Sequence, residues 1–465
     1  GCGWRPIVDP VRSRERAIAE LVLEMGARVL DVCQMDDPRS WIQHGAETFV
    51  GAGDAVGITE VDRLHPVHAV VVNGVEAAHV FPPAEFAEKH PEVYPIVRGR
   101  RHIPRPDQRV SWQPCFSEPK AADIAVAHYL EEFAKWKGPV LPPRSSMGVN
   151  DGPGFCECER CRRINGNRLN YMGSQHQSNT YHAWANQVIE RVLEKHPDAL
   201  FSFIAYYGLM EPPDDGKVHP HLVPNITFDR YQWAARELRE KDQWITARWA
   251  EVAPQIQWYV YNYGATYAPP RVYWHLMAEY LRWGYEHNVR HLRGETYPAW
   301  STPKPYIMQK LRWNPDADAD ALLEEWCEAA VGKTAAPSLI RFYAHLEEFW
   351  TARVRESSFL KRGASVYMAA VPQFYLDVLT DDDVAFWRAR MEEVVAQAGT
   401  PAEQKRAAQF MQAFEGWEAV LLCFLGDQGA LATHVDTKQS ALKILPRATE
   451  LFGAKTKAHV LAKTF

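Results

Sequence analysis

Four cysteines form the densest group of reactive side chains in this chain of 465 residues. The segment "GFCECERC" at 154–161 places Cys156, Cys158 and Cys161 in a C-x-C-x2-C pattern, which lets the thiolates of one tight turn converge on one ion. Cys115, in "WQPCFSEP", adds a fourth sulfur, so the set predicts a tetrahedral zinc site. A site closed by four sulfurs leaves no position for substrate, and the zinc would be structural.

Three alternatives compete with this zinc hypothesis. The cysteines could form a disulfide pair involving Cys115, His176 could replace a cysteine as the fourth ligand, or the thiols could be free. With His176 in the set, the cluster would instead suit a metal-dependent hydrolase, which is a rival functional hypothesis.

Two carboxylates follow predicted strands at positions that suit acid/base catalysis. Asp151 comes directly after "SSMGVN" and before a glycine, and Glu295 ends the run "VRHLRGE". Two carboxylates on one face are what cleavage of a glycosidic bond requires. We therefore predict Asp151 as the general acid and Glu295 as the base, nucleophile or orienting group. The alternative is that Asp151 lies in an ordinary turn and that Glu295 belongs to an ion pair.

Aromatic and polar residues recur near the ends of the same predicted strands. Tyr and Trp rings stack on sugar rings, and Asn, Asp and His bind sugar hydroxyl groups. The residues predicted to bind substrate are Asn150, His79, Tyr206, Tyr207, Asp229, Trp258, Tyr261, Asn262, Tyr297 and Trp300. Asp229 is also a third candidate carboxylate. As an alternative, each of these residues could simply fill the core.

Short apolar runs alternate with helical stretches over the first 300 residues or so, which indicates a mainly parallel sheet covered by helices. The predicted strands are 27–32, 68–73, 145–150, 199–207, 225–231, 256–263 and 289–297. Seven strands suit an α/β fold of the (β/α)8 TIM-like barrel type with one strand missed or missing, and a doubly wound sheet is the alternative. From residue 306 onward the apolar spacing is helical. We predict a barrel domain at 1–305 and an α-helical C-terminal domain at 306–465.

Charge and hydropathy restrict the class of partner. The chain has 52 basic and 58 acidic residues and no long run of either sign, which argues against nucleic-acid binding and a polybasic membrane patch. No apolar run approaches the roughly 20 residues of a membrane span. A glycan partner fits better. The chain opens Gly1-Cys2-Gly3, which indicates a processed form or fragment, and one hypothesis is that Cys2 is lipidated.

Several motifs together resemble the bacterial family of unknown function numbered 4838, part of which is classified as glycoside hydrolase family 163. The matching segments, in the family's order, are "HVFPPAEFAEKHPEVYPIVRGRR" at 79–101, "QPCFSEP" at 113–119, "MGVNDGPGFCECERC" at 147–161, "YYGLMEPP" at 206–213, "PNITFD" at 224–229, "VRHLRGETYPAW" at 289–300 and "LRWNPDADADALLEEW" at 311–326.

This resemblance implies a glycosidase-like barrel followed by helices, in secreted or periplasmic proteins that handle glycans. It further implies endo-β-N-acetylglucosaminidase activity, with retention through the acetamido group of the substrate. Asn150-Asp151 stands where hexosaminidase-like barrels carry Asp-Glu. We therefore expect a glycoside hydrolase with a structural zinc. The rival hypothesis from a different class is a glycan-binding barrel without catalysis, and the oligomeric state is not predicted.

Overall fold

The part of the chain available for description begins at residue 77. The structure is a computed structural model that describes residues 77–136, 142–264, 267–295, 302–361, 363–370 and 373–427. The strands predicted at 27–32 and 68–73 lie outside the described residues, as do Tyr297 and Trp300. The other five predicted strands can be compared directly.

The described strands form a hairpin and one parallel sheet. They are β1 (Ile96–Val97), β2 (Arg100–Arg101), β3 (Arg144–Ser146), β4 (Leu200–Ala205), β5 (Leu222–Phe228), β6 (Ile256–Tyr261) and β7 (Val289–Glu295). β1 and β2 pair antiparallel, whereas β3 to β7 form a parallel sheet whose spatial order equals the chain order. The predicted α/β class with a parallel sheet is confirmed, and each strand of this sheet overlaps a predicted run.

Helices connect the parallel strands and make up the C-terminal part. They are α1 (Ala77–Val80), α2 (Pro83–Phe86), α3 (Pro119–Ala134), α4 (Glu159–Asn165), α5 (Ser178–Leu193), α6 (Arg236–Val252), α7 (Trp274–Glu286), α8 (Lys304–Trp313), α9 (Ala319–Glu348), α10 (Asp381–Gln397) and α11 (Pro401–Asp427). Shorter helical turns lie at Pro91–Val93, Tyr207–Leu209, Arg230–Ala234, Phe349–Arg353, Val354–Glu356 and Phe374–Val378. None of the helices in the described ranges combines the length and apolar character needed to cross a bilayer.

The register of the sheet separates an apolar face from a polar face. The ring of Phe203 in β4 lies 5.0 Å from that of Tyr181 in α5 and 5.7 Å from that of Trp249 in α6. On the other face, Asn225 of β5 is paired with Gln257 of β6 across the ladder. Because side chains alternate along a strand, the crossing helices cover the apolar face and leave the polar face on the opposite side of the sheet.

The long helix α9 spans the first two helices that the sequence predicts after residue 305. The sequence predicts helices at 318–332 and 337–350, and the backbone of α9 leaves the helical conformation at Gly332, where φ is 82°. The side chain of Asp318 accepts hydrogen bonds from the first N–H groups of α9, as an N-cap residue does. The break at Gly332 therefore lies where the two predicted helices meet.

The predicted domain boundary after residue 305 falls inside α8. Arg312 of this helix donates a hydrogen bond from Nη2 to the carbonyl oxygen of Leu292 in β7, at 2.8 Å. Further along the chain, Trp350 donates from Nε1 to the carbonyl oxygen of Pro270, at 2.9 Å. The helices after β7 thus contact the sheet region directly, and the division into 1–305 and 306–465 stays a prediction.

His275 connects α7 to both ends of α9. Nδ1 of His275, near the start of α7, lies 2.7 Å from Oε2 of Glu347, and the backbone N–H of His275 donates to Oε1 at 2.8 Å. Nε2 of His275 lies 3.1 Å from Oδ1 of Asp320 at the opposite end of α9. The hydrogen bond with Glu347 and the charges of both carboxylates raise the pKa of His275 to about 9. The protonated imidazole therefore holds α7 against α9.

We expect the free energy of unfolding to decrease as the pH rises through about 9. The folded protein raises the pKa of His275 above its usual value of about 6.5, so the stabilisation is complete below that value and is lost as His275 deprotonates. Urea unfolding across this pH range would measure the decrease. The decrease should be smaller in His275→Gln than in the wild type. In His287→Gln, which replaces an exposed histidine directly after α7, it should equal that of the wild type. An equal decrease in all three proteins would contradict this assignment.

Candidate active site and thiol cluster

The loop after β3 is held by a buried asparagine. Asn150 accepts a hydrogen bond at Oδ1 from the backbone N–H of Ala78 and donates from Nδ2 to the carbonyl oxygen of Trp112, each at 2.7 Å. Its backbone N–H donates to Oε1 of Gln113 at 2.8 Å. Asn150 is fully buried, so its amide is used within the protein. This arrangement contradicts the prediction that Asn150 contacts substrate and makes it an anchor of the loop.

Two further contacts hold the loop on the segment before Cys115. Gln113 donates from Nε2 to the carbonyl oxygens of Asn150 and Gly152, at 2.7 and 3.2 Å. The backbone N–H of Ser111 donates to the carbonyl oxygen of Asp151 at 2.7 Å. At Gly154, where φ is 98°, an added Cβ atom would lie 2.4 Å from the carbonyl oxygen of Ser111. The backbone on both sides of Asp151 is therefore closely constrained.

The side chain of Asp151 is exposed at the carboxyl-end edge of the sheet. The hydroxyl of Tyr206, the residue directly after β4, donates to Oδ1 of Asp151 at 2.9 Å. Burial, and then hydrogen bonds with Tyr207 and Asp151, raise the pKa of Tyr206. The structure thus joins Asp151 and Tyr206, two of the predicted site residues, and Tyr207 lies beside them.

The thiol cluster lies at the far end of the same loop. The sulfur atoms of Cys115, Cys156, Cys158 and Cys161 all lie within 4.8 Å of one another. A tetrahedral zinc ion with Zn–S bonds of about 2.3 Å requires sulfur atoms about 3.8 Å apart. Sγ of Cys115 lies 3.8 Å from that of Cys158 and 3.9 Å from that of Cys161. The donor set and its spacing therefore fit a thiophilic ion.

The thiols of the cluster influence one another. Hydrogen bonds with Cys115 and Cys161 lower the pKa of Cys156, whereas hydrogen bonds with Cys115 and Cys156 raise the pKa of Cys161. The hydroxyl oxygen of Ser117 lies 3.1 Å from Sγ of Cys161, as a group surrounding a metal site would. The four cysteines of the cluster form no disulfide bond in the structure, so it does not support the disulfide alternative.

His176 lies outside the cluster. Its Nε2 is 3.2 Å from Nη2 of Arg168 and 3.3 Å from Oδ1 of Asn179. Burial, and then the charge of Arg168, lower the pKa of His176. The structure therefore does not bring His176 to the sulfur atoms as a fourth ligand, and the rival metal-dependent hydrolase stays a hypothesis.

Asp229 is buried in an ion pair. Its Oδ2 accepts hydrogen bonds from Nη1 of Arg271 at 2.8 Å and from the backbone N–H of Met368 at 3.1 Å. Both charged side chains are fully buried, and the guanidinium of Arg271 lies 4.7 Å from the ring centre of Tyr267. This burial contradicts the prediction that Asp229 contacts substrate, because no part of its carboxylate reaches solvent.

Two other predicted substrate contacts are core residues. Trp258 is fully buried among the helices on the apolar face, and its ring is parallel to that of Trp283 at 6.2 Å. Asn262 is also buried: it donates from Nδ2 to the sulfur of Met308 at 2.9 Å and accepts from the hydroxyl of Tyr273 at 3.2 Å. Their burial contradicts the predicted contacts and supports the alternative of core packing.

The remaining predicted residues lie at or near the same edge. Tyr261 packs its ring 5.5 Å from those of Tyr259 and Tyr263. His79 is exposed on α1, next to Ala78, whose backbone N–H donates a hydrogen bond to Asn150. β7 ends at Glu295, so its backbone stands at the same edge as Asp151. Substrate contacts by Tyr261 and His79, and catalysis by Glu295, stay predictions.

Sequence analysis missed Ser111 and Gln113, which constrain the loop, and the polar face of the sheet. Ser202 Oγ, Asn225 Oδ1 and Gln257 Oε1 are buried on this face without a hydrogen-bond partner in the described residues. The available signal was the alternation of polar residues in β5 and β6, which a search for apolar runs passes over. No comparable signal marks Ser111.

We compared the chain with curated proteins, solved structures and protein-family models. No curated protein matches this chain. Among solved structures, a GH115 4-O-methyl-α-glucuronidase named BtGH115A, described as having specificity for decorated arabinogalactans, is 12% identical, with a TM-score of 0.43. The match covers 74% of this chain and 46% of that one, so this chain spans less than half the length of that enzyme. Residues 62–344, more than half of the chain, match the family model described as "Domain of unknown function (DUF4838)". This match confirms the family expected from the sequence motifs, and the chain belongs to the DUF4838 family.

Proposed function

We propose that this protein is a glycoside hydrolase whose active site lies at the carboxyl-end edge of its parallel sheet. The observation that carries the proposal is the exposed carboxylate of Asp151. It accepts a hydrogen bond from Tyr206 and lies on a constrained loop. Active sites of parallel barrels lie at this edge. The exposed carboxylate beside two tyrosine rings supports a sugar substrate, because such rings stack on sugars while the carboxylate takes part in bond cleavage.

We propose further that the sheet is part of a complete (β/α)8 barrel. The support is the unbroken parallel order of five strands, with helices packed against Phe203 on one face and the polar pair Asn225 and Gln257 on the other. In a flat sheet, β3 and β7 would be separated by four strand spacings, or about 19 Å. Catalytic carboxyl pairs are closer than about 10 Å. Barrel curvature is therefore what would bring Glu295 close enough to act with Asp151.

The hydrogen bond from Tyr206 modifies the roles expected from the sequence. A carboxylate that accepts a hydrogen bond in an exposed position is suited to act as a base or to orient a substrate group, rather than to donate a proton. We therefore propose the base or orienting role for Asp151 and the proton-donor role for Glu295. An N-acetylglucosamine-containing glycan is the substrate that suits this pair, because an ionised carboxylate can hold the N–H of an acetamido group.

The thiol cluster supports a structural zinc ion held by Cys115, Cys156, Cys158 and Cys161. When bound, such an ion stabilises the fold and supplies no position for substrate. Cys115 belongs to the segment that holds Asn150 and Asp151, and the other three cysteines follow Asp151 in the loop. The ion would therefore join both sides of the loop and fix the position of Asp151.

Replacing Cys158 with Ser should remove the bound metal and lower activity together, because three remaining sulfurs no longer close the site. Metal content by mass spectrometry of the purified protein and turnover of a cleaved glycan would test this. Cys327→Ser, a buried cysteine outside the cluster, should retain both metal and activity. Full activity in metal-free Cys158→Ser protein would contradict the anchoring role.

Asp151→Asn should lower sugar release by about 100-fold or more, since removal of an acid/base group typically costs 100- to 10,000-fold in rate. Mass spectrometry of products from mixed N-glycans and plant and algal polysaccharides would identify the released sugar. Asp316→Asn, an exposed aspartate in a surface ion pair, is the matched control and should remain fully active. Retention of glycans without release of any sugar by the wild-type protein would favour the non-catalytic binding barrel instead.

A further inference from the structure

Two residues in an unfavourable backbone conformation converge on Asp151. In the described chain, the non-glycine residues with positive φ are Arg98 at 51°, Ser111 at 64°, Tyr207 at 47° and Asn288 at 66°. Two of these need no special explanation: Arg98 lies in the turn between β1 and β2, and Asn288 is an asparagine, a residue type that tolerates positive φ well. The other two, Ser111 and Tyr207, lie in different segments of the chain, and both are linked to Asp151.

Ser111 is linked to Asp151 through the backbone. Its N–H donates to the carbonyl oxygen of Asp151 at 2.7 Å. The loop approaches so closely that a Cβ atom added at Gly152 would lie 3.2 Å from Oγ of Ser111. A serine in the left-handed backbone conformation costs conformational energy. At Ser111 this conformation is maintained by contacts with the loop that carries Asp151.

Tyr207 is held by contacts on the other side of the site. Nδ2 of the buried Asn170 donates to the carbonyl oxygen of Tyr207 at 2.6 Å, and the backbone N–H of Gln177 donates to the carbonyl oxygen of Gly208 at 2.9 Å. A Cβ atom added at Gly208 would lie 2.7 Å from Cγ of Gln177. Such close contacts keep a bulky residue in a conformation that it rarely adopts.

The consequence of this conformation is the placement of the Tyr207 ring. Its centre lies 4.2 Å from that of the Tyr206 ring, so the two rings are in direct contact. The hydroxyl of Tyr206 in turn donates to Asp151. Tyr207 thus packs against the ring whose hydroxyl group holds the carboxylate of Asp151.

We propose that Ser111, Asn170 and Tyr207 are positioning residues that hold the carboxylate of Asp151 and the hydroxyl of Tyr206 in the orientation that the reaction needs. The inference rests on the catalytic role proposed for Asp151. Ser111 fixes the backbone of the aspartate, Asn170 fixes the backbone of Tyr207, and Tyr207 orients the hydroxyl of Tyr206. Backbone strain of this kind concentrates at functional sites, because surrounding contacts must maintain it.

The first experiment measures the hydrogen bonding of the Asp151 carboxylate independently of activity. Protein labelled with ¹³C at the aspartate carboxyl carbons would be studied by NMR at one fixed pH, and the Asp151 signal would be assigned by its absence in Asp151→Asn. We expect the chemical shift of this carbon to change in Tyr206→Phe, because its hydrogen-bond donor is lost, and in Tyr207→Asn, because the ring that holds Tyr206 is lost. Tyr285→Phe, an exposed tyrosine at the end of α7, should match the wild type. An unchanged chemical shift in both Tyr206→Phe and Tyr207→Asn would overturn the inference.

The second experiment separates positioning from packing. Asparagine tolerates positive φ, so Tyr207→Asn should unfold at the same temperature as the wild type or higher while kcat falls about tenfold or more. Asn288→Gly, which replaces another residue with positive φ at the opposite end of β7, is the control and should retain kcat. Unaltered kcat in Tyr207→Asn would refute the positioning role. Failure of the wild type to release sugar, combined with the expected NMR shifts, would instead refute the proposed function alone.

Discussion

Parallel pairing of consecutive strands is the constraint on which the rest of this structure depends. Because β3 to β7 pair in chain order and in one direction, all their carboxyl ends lie at one edge, and three of the four connections return by helices across one face. The helices bury Phe203 and Trp258 on that face, and the alternation of side chains leaves Asn225 and Gln257 on the other. Asp151 and Tyr206 come together because each lies just beyond one of two neighbouring strands.

The loop after β3 shows how a catalytic candidate can be exposed yet held in place. The carboxylate of Asp151 reaches solvent, but its neighbours are fixed by Gln113, by the buried amide of Asn150 and by the thiol cluster. Hydrogen bonds to backbone groups are well suited to this purpose, since they restrain the chain without covering the side chain. The proposed metal would extend the same restraint to Cys115 and Cys161, on opposite sides of the loop.

The same edge also contains polar groups that serve the fold. Asp229 follows β5 as Asp151 follows β3, but Arg271 and the backbone of Met368 enclose it. A charged group removed from water needs such partners, and a buried ion pair of this kind leaves no group free for substrate. Sequence position after a strand is therefore insufficient to separate a catalytic carboxylate from a structural one, because the covering residues lie 42 and 139 positions further along the chain.

The sequence by itself determined the strand positions, the helical character of the C-terminal part, the family and the membership of the thiol cluster. Each of these is encoded locally, in apolar periodicity or in the spacing of cysteines. The tertiary structure alone decided that Asn150, Asp229, Trp258 and Asn262 are buried, that His176 lies away from the sulfurs, and that Tyr206 bonds Asp151. Those outcomes depend on which distant segments cover each strand end, and no local pattern records that choice.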